Sequence, residues 1–281
     1  MKQFVSLAIG SFIVLVLSCH KSVTENPLQP KDLTTTSQET PLPQETKTQC
    51  DLGLAYGDSI VYQQPTTGTD YFISPVNDPG AGRYLSWPEG LSIDSTNGTI
   101  DISKSVRGQR YLIGFIKSGT NDTCIGQVII GGTSYIDSVY DLTVSHLSGG
   151  PYFNANPNTP SPCVGGGCKF ISPLKYFGKD LKVDEHTGII DLQHTCINGI
   201  FGLAPFNGET VTTTINYTIN DGSNNAQQSL QIRFVYYNSR ADIPTDLLNE
   251  VEQSRQGIIS NDAGKGVTNI RPPLIIVTRN H

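Results

Sequence analysis

Gly90-Leu91-Ser92-Ile93-Asp94-Ser95-Thr96-Asn97-Gly98-Thr99-Ile100-Asp101-Ile102 returns without a gap as Asp180-Leu181-Lys182-Val183-Asp184-Glu185-His186-Thr187-Gly188-Ile189-Ile190-Asp191-Leu192. Position 90 maps onto 180, and a leucine, two aspartates, a glycine and an isoleucine coincide at identical spacing. Self-similarity over such a distance marks a repeated structural unit. In each copy the glycine closes a short polar run, where a tight turn needs a positive φ. Around the copies, apolar and polar residues alternate with the period of half-buried strands. Tyr111-Leu112-Ile113-Gly114-Phe115-Ile116 and Gln127-Val128-Ile129-Ile130 follow the first copy; Thr212 to Ile219 and Ser229 to Tyr236 follow the second. Asn220-Asp221-Gly222-Ser223-Asn224-Asn225 sits between the last two as a hairpin turn signal. Strands punctuated in this way predict an all-β chain in which one sandwich is used twice.

Trp87-Pro88-Glu89-Gly90-Leu91-Ser92-Ile93-Asp94, Asn97-Gly98-Thr99-Ile100 and Gly108-Gln109-Arg110-Tyr111 follow one another, with Cys124 before the last strand. This order resembles the immunoglobulin-like and cadherin-like modules of bacterial surface proteins, those of Bacteroidetes-type envelopes in particular. The second copy keeps Asp184, Thr187-Gly188 and Asp191 but lacks the Pro-x-Gly and Gly-x-Tyr pieces. The resemblance implies two tandem immunoglobulin-like/cadherin-like β-sandwiches, at residues 50–148 and 149–238, joined near His146 to Pro151. It says little of activity, because such sandwiches host many functions.

From Ser239 the pattern changes. Ile243, Leu247, Leu248 and Val251 fall on one helical face, opened by Pro244 or Thr245 and closed by Gly257. Pro272-Pro273 then introduces Leu274-Ile275-Ile276-Val277. Residues 239–281 are expected to form a short helix and strand docked on the second sandwich, since an exposed apolar strand invites edge pairing.

Only 16% of the 281 residues are charged, against a usual ~25%, which suits an exported β protein. A net charge of −6 argues against a nucleic-acid partner, because neutralising phosphates needs clustered Lys and Arg. No long helical periodicity supports a coiled coil or helical bundle. Met1-Lys2 is followed by an apolar run, Phe4 to Leu17, too short to span a bilayer comfortably. It ends in Val16-Leu17-Ser18-Cys19, which resembles the bacterial lipobox. Residues 1–18 are therefore expected to be a lipoprotein signal peptide and Cys19 the lipidated residue. Residues 19–49 carry Pro, Thr and Gln, no aromatic residue and nearly cancelling charges, the composition of a disordered tether. The expected address is the bacterial outer membrane, with surface or periplasmic facing left open.

Asp94 and Asp101, with Asp184 and Asp191, invite comparison with the calcium sites of cadherin-like modules. Clustered acidic motifs from several loops are not evident, so turn capping is the simpler reading. Besides Cys19 there are Cys50, Cys124, Cys163, Cys168 and Cys196, and export favours disulfides. Cys50 with Cys124 is placed to clamp the ends of the first sandwich. Cys163 and Cys168 close locally and leave Cys196 free, or either pairs with Cys196. Zinc is the sharper alternative, since Cys163-x₄-Cys168 and His194-x-Cys196 offer four ligands, the last two facing one side of a strand. The oxidising compartment favours the disulfides, and no cofactor is expected.

Hydrolase and phosphate-loop motifs are absent from the sequence. Asp58-Ser59-Ile60, Asp94-Ser95-Thr96 and Asp137-Ser138-Val139 resemble the O-glycosylation triplet of Bacteroidetes. The chain is expected to be a non-catalytic binding, adhesion or spacer module whose partners are the membrane, through its anchor, and an envelope protein or glycan. Its polar loops, Asn154 to Gly167 and Asn220 to Asn225, suit adaptable hydrogen bonding. The alternative is an enzyme or accessory subunit of envelope polysaccharide or peptide processing.

Overall fold

The computed structural model describes residues 54–66, 68–120, 122–143, 147–172, 175–176, 179–197, 199–260 and 272–279. The signal segment 1–18, Cys19, the tether 19–49, Cys50 and His146 lie outside the described residues. The chain divides into two units, residues 1–40 and 41–281, and every element below belongs to the second.

The chain is mostly β, arranged in several sheets. The first half supplies β1 (Ile60–Val61), β2 (Phe72–Ile73), β3 (Gly82–Trp87), β4 (Ile100–Asp101), β5 (Gln109–Lys117) and β6 (Thr123–Ile130). Four of them make a sheet in the order β1-β6-β5-β3, while β2 pairs with β4. Alternation along β5 buries Tyr111, Ile113 and Phe115, which join Val128 and Ile130 of β6 and Ile100 of β4 in one core.

The second half begins with β7 (Thr133–Tyr135), β8 (Ser138–Asp141), β9 (Ser148–Gly149) and β10 (Pro151–Phe153). It continues through β11 (Lys169–Ile171), β12 (Lys175–Tyr176), β13 (Lys179–Asp180), β14 (Ile190–Asp191) and the helix α1 (Leu192–Ile197). β15 (Glu209–Thr218), β16 (Gln228–Tyr237), the helix α2 (Thr245–Ile259) and β17 (Leu274–Thr278) complete it. Its main sheet runs β11-β15-β16-β17-β8.

The halves share their registers as well as their order. Tyr84 of β3 faces Phe115 of β5, and Phe170 of β11 faces Tyr217 of β15. Ile73 faces Ile100 in the first half, and Gly149 faces Ile190 in the second. The repeated stretch folds identically. Ile93 bridges Ile100 and Val183 bridges Ile190, and each glycine N–H returns to the first aspartate carbonyl, at 2.8 Å for Gly98 and 3.0 Å for Gly188. Gly98 sits at φ +73° and Gly188 at φ +72°. A Cβ there would meet the Tyr84 ring at 2.5 Å or the Phe170 ring at 2.8 Å, so both the backbone angle and the packing require glycine. The likeness also runs past position 102. Ser105 donates to the Asp101 carbonyl at 2.6 Å, and Thr195 donates to that of Asp191 at 2.7 Å.

The change of sheet does not fall at 148/149. β7 and β8, inside the expected first sandwich, belong with the second half: β7 pairs with β10 and β8 lies in the second sheet. The chain passes from one half to the other at Gly131-Gly132, between β6 and β7.

The tail departs from simple docking. In the first half β1 runs parallel to β6, with Ile60 beside Ile129 and Val61 beside Ile130. In the second half that lane is held by β17, parallel to β16, with Leu274 beside Arg233 and Ile275 beside Phe234. β8, which follows Tyr135 as β1 follows Tyr56, is moved one lane outward and pairs parallel with β17. Ile275 and Val277 enter the main core, whereas Leu274 and Ile276 join Val235, Tyr237, Ile243 and Val251 under α2. Burial on both faces explains the unbroken apolar run, because a strand with no wet face has no reason to alternate. The helix carries the expected apolar face and runs two residues past Gly257, which is buried within it.

Candidate functional site

The sequence-predicted cysteines separate into distinct fates. Cys163 and Cys168 are disulfide-bonded to each other, and Cys196 carries a free thiol. That removes the zinc set, since two of its four ligands are consumed. His194 and Cys196, moreover, lie on α1 and not on a strand. Among the described residues no cluster of metal-binding side chains occurs. Cys124 is disulfide-bonded, while its expected partner, Cys50, lies outside the described residues.

The aspartates of the repeat act as caps. The Asp94 carboxylate accepts from the backbone N–H of Thr96 at 2.7 Å and of Asn97 at 3.3 Å. Those donors hold its pKa below the usual carboxylate range. Asp184 is lowered first by the Thr187 hydroxyl, then by the backbone N–H groups of Thr187 and His186. Asp101 accepts from the N–H of Lys104 at 3.2 Å, and Asp191 from that of His194 at 2.8 Å. Satisfied in this way, each carboxylate explains its own turn.

The Asp-Ser triplets also resolve into structure. Tyr56-Gly57-Asp58-Ser59-Ile60 and Tyr135-Ile136-Asp137-Ser138-Val139 are the same entry strand in the two halves. Asp137 is 2% exposed and accepts from the backbone N–H of Leu274 at 2.7 Å, locking β8 to β17. The tyrosine-led motif was the sequence signal for where the second half starts.

The polar loops expected to reach outward are partly spent on the junction between the halves. Asn154 is buried; its side-chain oxygen accepts from the N–H of Gly132 at 3.0 Å, and its amide donates to the Tyr62 hydroxyl at 3.2 Å. Gln64 donates to the Gly222 carbonyl at 2.9 Å and accepts from the Asn224 amide at 2.8 Å. A Cβ at Gly131 or at Gly222 would come within 2.5 Å of the Tyr62 ring, so that ring is wedged between two glycines. Arg107 donates to Gln63 at 3.2 Å and to the Ser103 carbonyl at 3.0 Å. The disulfide loop keeps an outward tip, where Val164 is exposed beside Gly165, Gly166 and Gly167.

A cleft of about 300 Å³ lies where the parallel strands β8, β17 and β16 end. Leu142, Phe201, Leu203, Pro205 and Tyr236 form its apolar walls; Gln193, Cys196 and Arg279 supply its polar groups. Phe201 and Tyr236 meet with ring centroids 5.7 Å apart, tilted by 55°. The loop carrying Phe201 to Pro205 is pinned by the Gly202 N–H on the Gly199 carbonyl at 2.7 Å and by the Gly208 N–H on the Tyr236 carbonyl at 2.8 Å. Burial pushes the Cys196 thiol up to about 12, with the Arg279 guanidinium pulling the other way. Sequence reading missed this site, because its walls come from five separate segments and α1 was not foreseen.

No family model matches the chain, and no curated protein matches it in sequence. Among solved structures, it is similar to human protocadherin-24 EC1-2, at 7% identity over 64% of this chain and 94% of that one, with a TM-score of 0.22. It is also similar to the C-terminal 282-residue fragment of intimin in complex with the intimin-binding domain of the translocated intimin receptor. That match has 14% identity over 58% of this chain and 56% of that one, with a TM-score of 0.19. Superpositions this loose carry no argument about fold or function.

Proposed function

We propose that the chain is an outer-membrane lipoprotein of the bacterial envelope whose two tandem immunoglobulin-like/cadherin-like sandwiches act as a non-catalytic binding, adhesion or spacer module. One observation carries the reading: two halves of matching register are fixed to each other through a hydrogen-bonded junction around Tyr62, Gln64, Asn154 and Asn224. Two β modules fixed to each other behind a flexible tether of residues 19–49 would present their loops away from a bilayer, the geometry of a contact protein. The partner class is an envelope protein or glycan, met through loops such as the Val164 tip. Processing of envelope polysaccharide or peptide, the other reading, would have to place its chemistry in the cleft, where burial keeps the Cys196 thiol neutral.

The anchor is tested by Cys19→Ala. The variant is expected to lose incorporation of labelled palmitate and to leave the membrane fraction; a variant that keeps both overturns the anchor. The module is tested by pull-down and glycan-array binding with purified protein, expected to retain a partner without product. Release of sugars or peptides, abolished by one carboxylate substitution, overturns the non-catalytic reading.

A further inference from the structure

We propose that the cleft beside α1 binds a small carboxylate with an apolar body, the charge held by Arg279 and the body by Leu142, Phe201 and Tyr236. The proposal is independent of the anchor and of the spacer role. Arg279 has no ion-pair partner among the described residues, and the cleft lining holds no Asp or Glu. Among the described residues the other titratable groups lining it are the Cys196 thiol and the Tyr236 phenol. Arg279 is therefore the formal charge of the cleft at neutral pH, a planar fork of donors suited to a carboxylate.

The body of the ligand follows from the walls. Phe201 and Tyr236 are buried, whereas Leu203 is fully exposed and Phe206, on the same loop as Phe201, is 67% exposed. Apolar side chains of that size left in water beside a cavity are what an apolar ligand would cover. At about 300 Å³ the cleft stands at the low end of ligand pockets, room for a metabolite-sized acid and not for a glycan chain.

Cys196 provides a reporter within the site. The purified full chain is titrated with octanoate, 3-phenylpropanoate and octanol, followed by ligand-detected saturation-transfer NMR and by the alkylation rate of Cys196 with iodoacetamide. Octanoate or phenylpropanoate is expected to bind and to slow alkylation, and the stronger of the two identifies an aliphatic or an aromatic source. Octanol is expected to bind about ten-fold more weakly or worse, for want of the charge-assisted pair. Arg279→Gln is expected to weaken the acid by a similar factor and leave octanol unchanged. Its fold is checked by the urea midpoint, because the backbone bond from the Arg279 N–H to the Tyr237 carbonyl needs no side chain. Equal binding of octanol and octanoate overturns the proposal. So does unchanged acid binding by a folded Arg279→Gln, or the absence of saturation transfer and of protection with both acids.

Discussion

Tyr56 donates its hydroxyl to the carbonyl oxygen of Gly98 at 2.7 Å across the core of the first half. Tyr135 makes the corresponding bond to Gly188 in the second. Each bond ties the entry strand to the one glycine that the turn cannot replace, so strand and turn stabilise each other. Tyr56→Phe, which keeps the ring and strands a buried carbonyl, is expected to cost about 1 kcal/mol. Gly98→Ala is expected to cost about 1–3 kcal/mol from backbone strain alone, with the clash against Tyr84 added. Urea unfolding measures both, and a Gly98→Ala variant as stable as the parent would contradict the packing described.

The alkaline limit of stability is set by buried protons. Burial pushes Cys196, Tyr152 and Tyr217 up to about 12 in the folded chain, from ordinary values of 9.0 for the thiol and 10.0 for the phenols. Between those values the unfolded chain has lost protons that the folded chain keeps, so stability falls as pH rises. The contribution is fully present below pH 9 and is lost progressively towards pH 12. Urea midpoints measured from pH 8 to 11 are expected to begin falling near pH 9, and Cys196→Ala to delay the onset towards pH 10.

The inserted strand predicts how the two halves come apart. Ile276 is fully buried under α2, and Ile276→Ala is expected to cost about 2–5 kcal/mol. None of that loss falls in the first-half core. Trp87, the chain's one tryptophan, lies in β3 and reports the first half alone. Circular dichroism is expected to show an early transition in the variant while Trp87 fluorescence holds to higher urea. Coincident shifts of both signals would mean that the junction makes the halves one cooperative unit.

Cysteine chemistry gives the fourth test. Non-reducing peptide mapping is expected to find Cys163 joined to Cys168, Cys196 alkylated far more slowly in the native protein than after unfolding, and Cys50 joined to Cys124. Replacing Cys163 and Cys168 together by Ser is expected to cost about 2 kcal/mol, the loop-closure entropy of so short a ring. A Cys196 that alkylates at its unfolded rate in the native protein would show that its burial is wrong.

The repeated turns were legible in sequence because they are local. Asp94 to Gly98 and Asp184 to Gly188 need specific residues at fixed offsets, so the chemistry is written where it acts. The long antiparallel strands β5, β6, β15 and β16 were legible for the same reason, through alternation and a hairpin turn. Parallel pairing is another matter. Nothing in Leu274 to Thr278 says which two strands it will separate, since its partners Ser138 and Arg233 are set by tertiary packing and not by any turn. The shared strand entry at Asp58-Ser59-Ile60 and Asp137-Ser138-Val139 does not by itself place the boundary between the halves, because a three-residue likeness recurs by chance. The cleft was missed because a site assembled from Leu142, Cys196, Phe201, Tyr236 and Arg279 has no spacing to recognise.

The placement of β17 imposes an order on synthesis. Every strand of the first half has been synthesised once Ile130 has been added, whereas the second sheet lacks its inner strand until Thr278. At ~5–20 residues per second that interval is roughly 7 to 30 seconds. From Tyr237 onward β16 has apolar flanks and no partner on one side, and β8, which should lie beyond the gap, is already made. The second half gains little by folding before Thr278 is added and risks zipping β8 onto β16 in the manner of the first half. The strand translated last is the one that sets the spacing of those made before it.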